Sequence, residues 1–353
     1  MKKLLAISLL AVIALSFVGC QNSSSDNNSS ASAEVSDTSV AVSTDNSPAD
    51  ESAESSVQSA AESAADNTAS GSGFDFNDYK SEEVFDIEKV DYFAGDASYR
   101  SKLESRCETY EFYFTSDGYQ IKACISIPTS VTESQRSCKC MLYNRGGHWN
   151  YGSQDPDVLA YMCAVTGRVV VGCELRGGNG SEGIDEFGGD ELHDVFRLID
   201  LCEKKFSFID MDDFCVLGIS RGGMETYMTA REDKRVKKII VAGGASDLIS
   251  LYSEREDMQE MLRGCIGGTP EEKPEEYKKR SAVYWADEIK IPVLLIHSKG
   301  DPKVKYETNA EALYEKLKDS TDCTFISHDD DYHGVNPGED SEDIPEIRKF
   351  LNN

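Results

Sequence analysis

The sequence predicts an α/β fold for residues 74–353, with a mostly parallel central sheet, helices on both faces and a small helical insertion. Three observations predict it. Apolar strand-like runs alternate with helix-period stretches through this region. One run, Phe214–Gly218, breaks into Gly218-Ile219-Ser220-Arg221-Gly222-Gly223 and then into a helical pattern, the signature of a serine forced onto a sharp strand-to-helix turn. Later strand and turn pairs add an aspartate and a histidine in the order that such a serine needs.

The chain opens with Lys2-Lys3 and the apolar run Leu4–Val18, which reads as a signal peptide, too short and wrongly flanked for a membrane span. Phe17-Val18-Gly19-Cys20 resembles a bacterial lipobox, with Phe17 where Leu is usual. Residues 1–20 are therefore expected to be a lipoprotein signal, with Cys20 as the lipidation site and the mature protein anchored outside the cytoplasm in a bacterial envelope. Plain secretion is the alternative. Residues 21–73 are dominated by Ser, Ala, Asn, Asp and Glu. They cannot bury enough apolar surface to offset chain entropy and are expected to be a disordered tether, with a root-mean-square reach of roughly 40 Å.

Phe74–Arg106 is ambiguous in period, yet Tyr79, Val84, Phe85, Ile87, Val90, Tyr92 and Phe93 offer apolar anchors, so packing on the core is expected. Two antiparallel strands follow, Tyr110–Thr115 and Gln120–Ile127, flanking an Asp117-Gly118 turn. The remaining strands are Lys139–Tyr143, Arg168–Glu174, Phe214–Gly218, Lys238–Ala242, Pro292–His297 and Cys323–Ser327. Met224–Ala230 and Tyr306–Leu317 have helical spacing. Ser246–Tyr284 is charged and helix-prone, and reads as lateral helices or a lid; Tyr252 within it and Trp285 just after it either line an acyl pocket or pack in the core.

A serine hydroxyl is a weak nucleophile near neutral pH, so it needs a general base, and the base needs an orienting carboxylate. Ser220 is the nucleophile candidate, with the N-terminus of the following helix beneath it. Asp301, in the turn Ser298-Lys299-Gly300-Asp301-Pro302 after an apolar strand, is the orienting candidate; its rival role is a turn-forming Asp before Pro. His333, in the loop after the last strand, is the base candidate. His328 is its rival but sits at a strand end, whereas a catalytic imidazole must reach over the sheet edge from a loop. His297 reads as a core histidine, and Asp329 to Asp331 as a solvated loop. The order Ser, Asp, His is that of α/β-hydrolases.

The elbow, the segment Leu294–Val304 and the Tyr332-His333-Gly334 loop resemble the catalytic domain of prolyl oligopeptidase-type serine peptidases. Leu175-Arg176-Gly177-Gly178-Asn179-Gly180 and Gly188–Val195 are similar to that family's Arg-Gly-rich loop and the helix after it. The resemblance runs from about Tyr110 to the C-terminus. It implies Ser220, Asp301 and His333 as the triad and an oxyanion hole at the loop after the first central strand. In the family that loop usually carries Tyr or His before a Gly pair, whereas here Arg145 precedes Gly146-Gly147. The hole would then consist of the Arg221 backbone N–H and one from the Arg145 to Gly147 loop, with the Arg145 guanidinium as a further donor or, alternatively, a surface group. The family's large β-propeller has no room here, because Phe74–Cys107 is too short for two blades. No counterpart is evident of the glutamate segment by which dipeptidyl peptidases grip a free N-terminus.

The net charge of −28 disfavours nucleic acid and anionic membrane surfaces as partners. Ten cysteines remain besides Cys20. Several lie in apolar strand-like runs, where cysteine behaves as a small core residue, and their spacing suggests neither zinc nor an evident disulfide framework. No cofactor is expected. The reading is a tethered serine hydrolase cleaving a peptide or small ester substrate, with a carboxylesterase on acylated polysaccharide or small esters as the alternative. A surface-binding lipoprotein that lost catalysis is a third reading, against which the intact Ser, Asp and His argue.

Overall fold

The computed structural model describes residues 74–90, 97–131, 137–338 and 341–353. The expected signal, Cys20 and tether, together with Tyr92 and Phe93, lie outside the described residues.

Strand β1 (Val84–Lys89) pairs antiparallel with β2 (Cys107–Ser116), which forms a hairpin with β3 (Tyr119–Pro128); helix α1 (Ala97–Glu104) lies between β1 and β2 in the chain. β4 (Cys138–Asn144), α2 (Pro156–Thr166), β5 (Val169–Cys173), α3 (Leu192–Lys204), β6 (Ile209–Ile219), α4 (Arg221–Glu232) and β7 (Lys238–Ala242) then alternate. The insertion supplies α5 (Leu248–Glu254), α6 (Gln259–Ile266) and α7 (Pro274–Lys279), and β8 (Val293–Ser298), α8 (Ala312–Leu317), β9 (Cys323–His328) and α9 (Asp343–Asn352) complete the order. The sheet runs β1-β2-β3-β5-β4-β6-β7-β8-β9 and is parallel from β5 to β9.

The central strands are continuous apolar runs because both of their faces are covered. Val169–Cys173 and Val293–Ser298 are buried at every position. One face packs on α3 and α4, where Leu192, Val195, Leu198, Ile199 and Cys202 of α3 form a helical stripe. The other face packs on α1, α2 and α9. α2 is bounded by local chemistry: Asp155 caps its first turn through the Asp157 N–H, Pro156 opens it, and Gly167 closes it at φ 69°.

The described residues at the start of the ambiguous 74–106 segment pack on the core. Phe76 is fully buried with ring centroids 5.5 Å from Phe112 and 5.2 Å from Phe206. Burial of such a ring is worth roughly 2–3 kcal/mol. β1 is a strand that alternation alone did not reveal, since its outer face is solvated and its pairing is interrupted between Phe85 and Glu88. The predicted helix over 306–317 opens as a wide π-helical turn, Glu307–Glu311, before α8. All ten described cysteines are free thiols.

Candidate active site

β6 ends at Ile219 and α4 begins at Arg221, so Ser220 makes the whole reversal, with φ 59° and ψ −122°. That is a strained region for a residue with a Cβ. The turn closes only because its flanks lack side chains: a Cβ on Gly218 would lie 2.1 Å from the Gly222 carbonyl oxygen, and one on Gly222 would lie 2.0 Å from that of Asn144. The Ser220 hydroxyl makes no capping bond to α4. Arg221 is the first helical residue, so its N–H has no acceptor within the helix. Gly146 sits against the elbow, where a Cβ would come within 3.1 Å of Ser220 Cβ.

Asp301 and His333 meet at the same sheet edge. His333 Nδ1 lies 2.7 Å from Asp301 Oδ2, while Asp301 Oδ1 accepts the Lys303 and Val304 N–H groups at 2.8 and 3.1 Å. Those bonds hold the carboxylate and commit one imidazole nitrogen to it. Gly243, after β7 at φ 55°, leaves the space through which this pair approaches the elbow, since a Cβ there would lie 3.0 Å from His333 Nδ1. Gly334 in turn faces Ile219, with 3.1 Å between its notional Cβ and Ile219 Cγ2. His328 is elsewhere, with Nε2 2.7 Å from Asp343 Oδ1. His297 is buried, and its Nε2 donates to the Val304 carbonyl at 2.8 Å. Burial lowers its pKa, and its bond to Val304 braces the Asp301 turn.

The Arg145 guanidinium departs from expectation. It is neither at the surface nor free as an oxyanion donor. Nε donates to the Glu174 carbonyl, Nη1 to those of Gly146, Tyr151 and Gly152, and Nη2 to those of Trp149 and Glu174. These bonds engage all five N–H donors of an arginine. The Glu174 carboxylate lies 3.0 Å from Nε. Burial raises the Glu174 pKa to about 7 even against that charge. Arg145 thus shapes the loop that carries Gly146, and the donors left to an oxyanion are backbone N–H groups.

A second buried arginine supports the elbow. The Arg221 guanidinium binds Asp185 through two nitrogens at 2.6 and 2.8 Å, Glu191 at 2.8 Å, and approaches Glu225 within 2.8 Å. It also donates to the Gly147 carbonyl at 3.3 Å and stacks 4.8 Å from the Phe187 ring. Burial opposes ionisation of Asp185, but Arg221 outweighs it and brings the pKa to about 2. Glu225 goes the other way: burial raises it to about 7, with Arg221 opposing only in part. Sequence reasoning missed this cluster. The Arg221 and Glu225 spacing of four on one helix was the only local signal; Asp185 and Glu191 arrive from a distant loop.

In the insertion, Trp285 packs in the core, where its indole N–H donates to the Lys278 carbonyl at 3.1 Å and Arg231 stacks 4.8 Å from its ring. Tyr252 is half-buried edge-on to Tyr277. α6 touches the Gly146 loop, with Cys265 Sγ 3.1 Å from His148 Nε2. Among the described residues, no group of three or more His, Cys, Asp or Glu side chains is placed to hold a metal ion.

Residues 156–353 match the prolyl oligopeptidase family. The uncharacterized peptidase YtmA of Bacillus subtilis is 33% identical over 210 residues, covering 59% of this chain and 79% of that protein. Dipeptidyl peptidase family member 6 of Caenorhabditis elegans is 25% identical over 201 residues, covering 52% of this chain and 27% of that protein. Among solved structures, an acylaminoacyl peptidase of Pyrococcus horikoshii superposes with a TM-score of 0.61 at 20% identity, over 74% of this chain and 43% of that one. Acetyl xylan esterase 1 from Thermoanaerobacterium superposes with a TM-score of 0.54 at 18% identity, over 76% and 87%. The chain thus spans most of YtmA but less than half of the two larger peptidases. With over half of its length matched and the α/β-hydrolase fold in place, the chain belongs to the prolyl oligopeptidase family and is a serine hydrolase.

Proposed function

We propose that Ser220, Asp301 and His333 are the catalytic triad of a hydrolase that cleaves peptide or ester bonds through an acyl-enzyme. Ser220 attacks the carbonyl carbon as His333 Nε2 takes the hydroxyl proton, and the carbonyl oxygen gathers negative charge opposite the Arg221 and Gly146 N–H groups. Collapse breaks the bond to the leaving group, which receives the proton from His333. Water, deprotonated by the same imidazole, then releases the acyl group and restores Ser220. Asp301 holds Nδ1–H throughout. The observation that carries this reading is the 2.7 Å His333–Asp301 contact, at the sheet edge that also bears the strained Ser220.

The test is the Ser220→Ala variant, which should keep its fold and lose turnover by on the order of a million-fold. Near-normal turnover would remove Ser220 from the role. Covalent labelling by a fluorophosphonate, absent in the variant, checks the same point without a substrate.

Peptide cleavage is the first reading because the family and YtmA are described as peptidases. Ester cleavage is the second, favoured by the superposition over 87% of an acetyl xylan esterase chain. Profiling against a peptide library and a panel of acyl esters separates them. We further propose that Cys20 is acylated and that residues 21–73 tether the hydrolase to the outer face of a bacterial membrane; the lipobox-like Phe17–Cys20 and the apolar run before it support this.

A further inference from the structure

Trp149 occupies a place in which its chemistry is unfavourable unless the side chain is used. His148 and Tyr151 exchange both backbone hydrogen bonds at 3.0 Å, so Trp149 and Asn150 form a two-residue reversal. Trp149 is the first central residue, at φ 50°. Two-residue reversals with a positive φ at that position favour glycine, because a bulky side chain is strained there. Packing does not compensate, since Trp149 is 55% exposed. A residue that is both strained and exposed, on the loop beside the nucleophile, points to a function.

The surroundings fix the Trp149 backbone and support one side of its ring rather than cover it. Arg145 Nη2 donates to the Trp149 carbonyl at 2.8 Å, and the Trp149 N–H points to Asp185 Oδ2 at 3.4 Å. The His148 ring lies under the indole at 4.2 Å between centroids, with Phe187 behind it at 5.9 Å and Arg221 beyond Phe187 at 4.8 Å. Ile184 is 74% exposed and adjoins Asp185 in the chain, so two of the four exposed large apolar side chains among the described residues flank the carboxylate that also grips the residue after Ser220. We infer that Trp149, with Ile184, is a preorganised apolar platform that binds a bulky apolar group of the substrate and sets specificity. This rests on the reading of Ser220 as nucleophile. An aromatic surface needs little ordering to bind, and less when its backbone is already fixed.

The experiment compares p-nitrophenyl acetate with p-nitrophenyl 4-phenylbutanoate, and in a second series acetate esters of small and aromatic alcohols. Trp149→Gly should reduce the ratio of kcat/KM for the bulky over the small substrate about 10-fold or more in at least one series, through KM. Trp149→Phe should retain most of that ratio. Thermal unfolding should be unchanged or shifted upward in Trp149→Gly, because glycine relieves the strain. An unchanged ratio in both series, or an equal fall in kcat for bulky and small substrates, overturns the platform. If Trp149→Gly does not fold, Ile184→Ser decides in the same way. Fluorophosphonate labelling of the wild type separates the two levels: labelled enzyme with an unchanged ratio overturns this inference alone, and unlabelled enzyme overturns both.

Discussion

The guanidinium of Arg221 and the carboxylate of Asp185 form a two-pronged buried ion pair, at 2.6 and 2.8 Å, joining the residue after Ser220 to a loop 36 positions earlier in the chain. Removing one partner of a buried pair leaves the other uncompensated, and the cost is typically about 3–5 kcal/mol. Asp185→Asn keeps the shape and removes the charge. We expect a stability loss near the lower end of that range in urea unfolding, because Glu191 and Glu225 still face Arg221. An unchanged midpoint would show that the pair is dispensable.

Glu225 makes stability depend on pH in a direction opposite to most carboxylates. Its folded-state pKa, about 7, lies above the roughly 4.3 of an unfolded glutamate. Between those values the native protein keeps a proton that the unfolded chain has released, so stability falls as pH rises through the window. Glu174, also raised to about 7, contributes with the same sign. Glu225→Gln should flatten part of this slope and be more stable than wild type at pH 8, by about 1–3 kcal/mol. Parallel pH profiles for the two proteins would contradict this.

Asp301→Asn and His328→Ala should fail differently. The first disturbs the tautomer of His333 and should lower kcat by on the order of ten-thousand-fold with little loss of stability. The second leaves Asp343, whose pKa burial already raises, without its 2.7 Å partner. It should cost about 1–3 kcal/mol and spare kcat. Measuring kcat and the unfolding midpoint for both variants checks the assignment; kcat loss confined to His328→Ala would reverse the choice of base.

Cys20→Ser should move the protein from the membrane fraction to the soluble fraction of fractionated cells, because acylation at Cys20 is the proposed anchor. Persistent membrane association would require a different anchor.

What the sequence determined by itself is what short-range chemistry encodes. Gly218, Ser220 and Gly222 demand one turn whatever surrounds them, and the apolar runs before Ser220 and Asp301 are recognisable because strands covered on both faces have no polar alternation. His333 was separable from His328 on loop position alone. β1 was not legible, since a half-solvated edge strand with interrupted pairing has a weak period. Tertiary structure alone decided the destination of long polar side chains. From sequence Arg145 reads equally as a surface group or an oxyanion donor, and only the arrival of carbonyls from Trp149, Tyr151, Gly152 and Glu174 makes it a buried strut. Arg221 likewise finds Asp185 and Glu191 only once β6 and the loop after β5 are side by side in space. Burial, which moves Glu225 and Asp185 to opposite sides of the usual carboxylate range, depends on how much protein surrounds each group, and residue spacing does not carry that information.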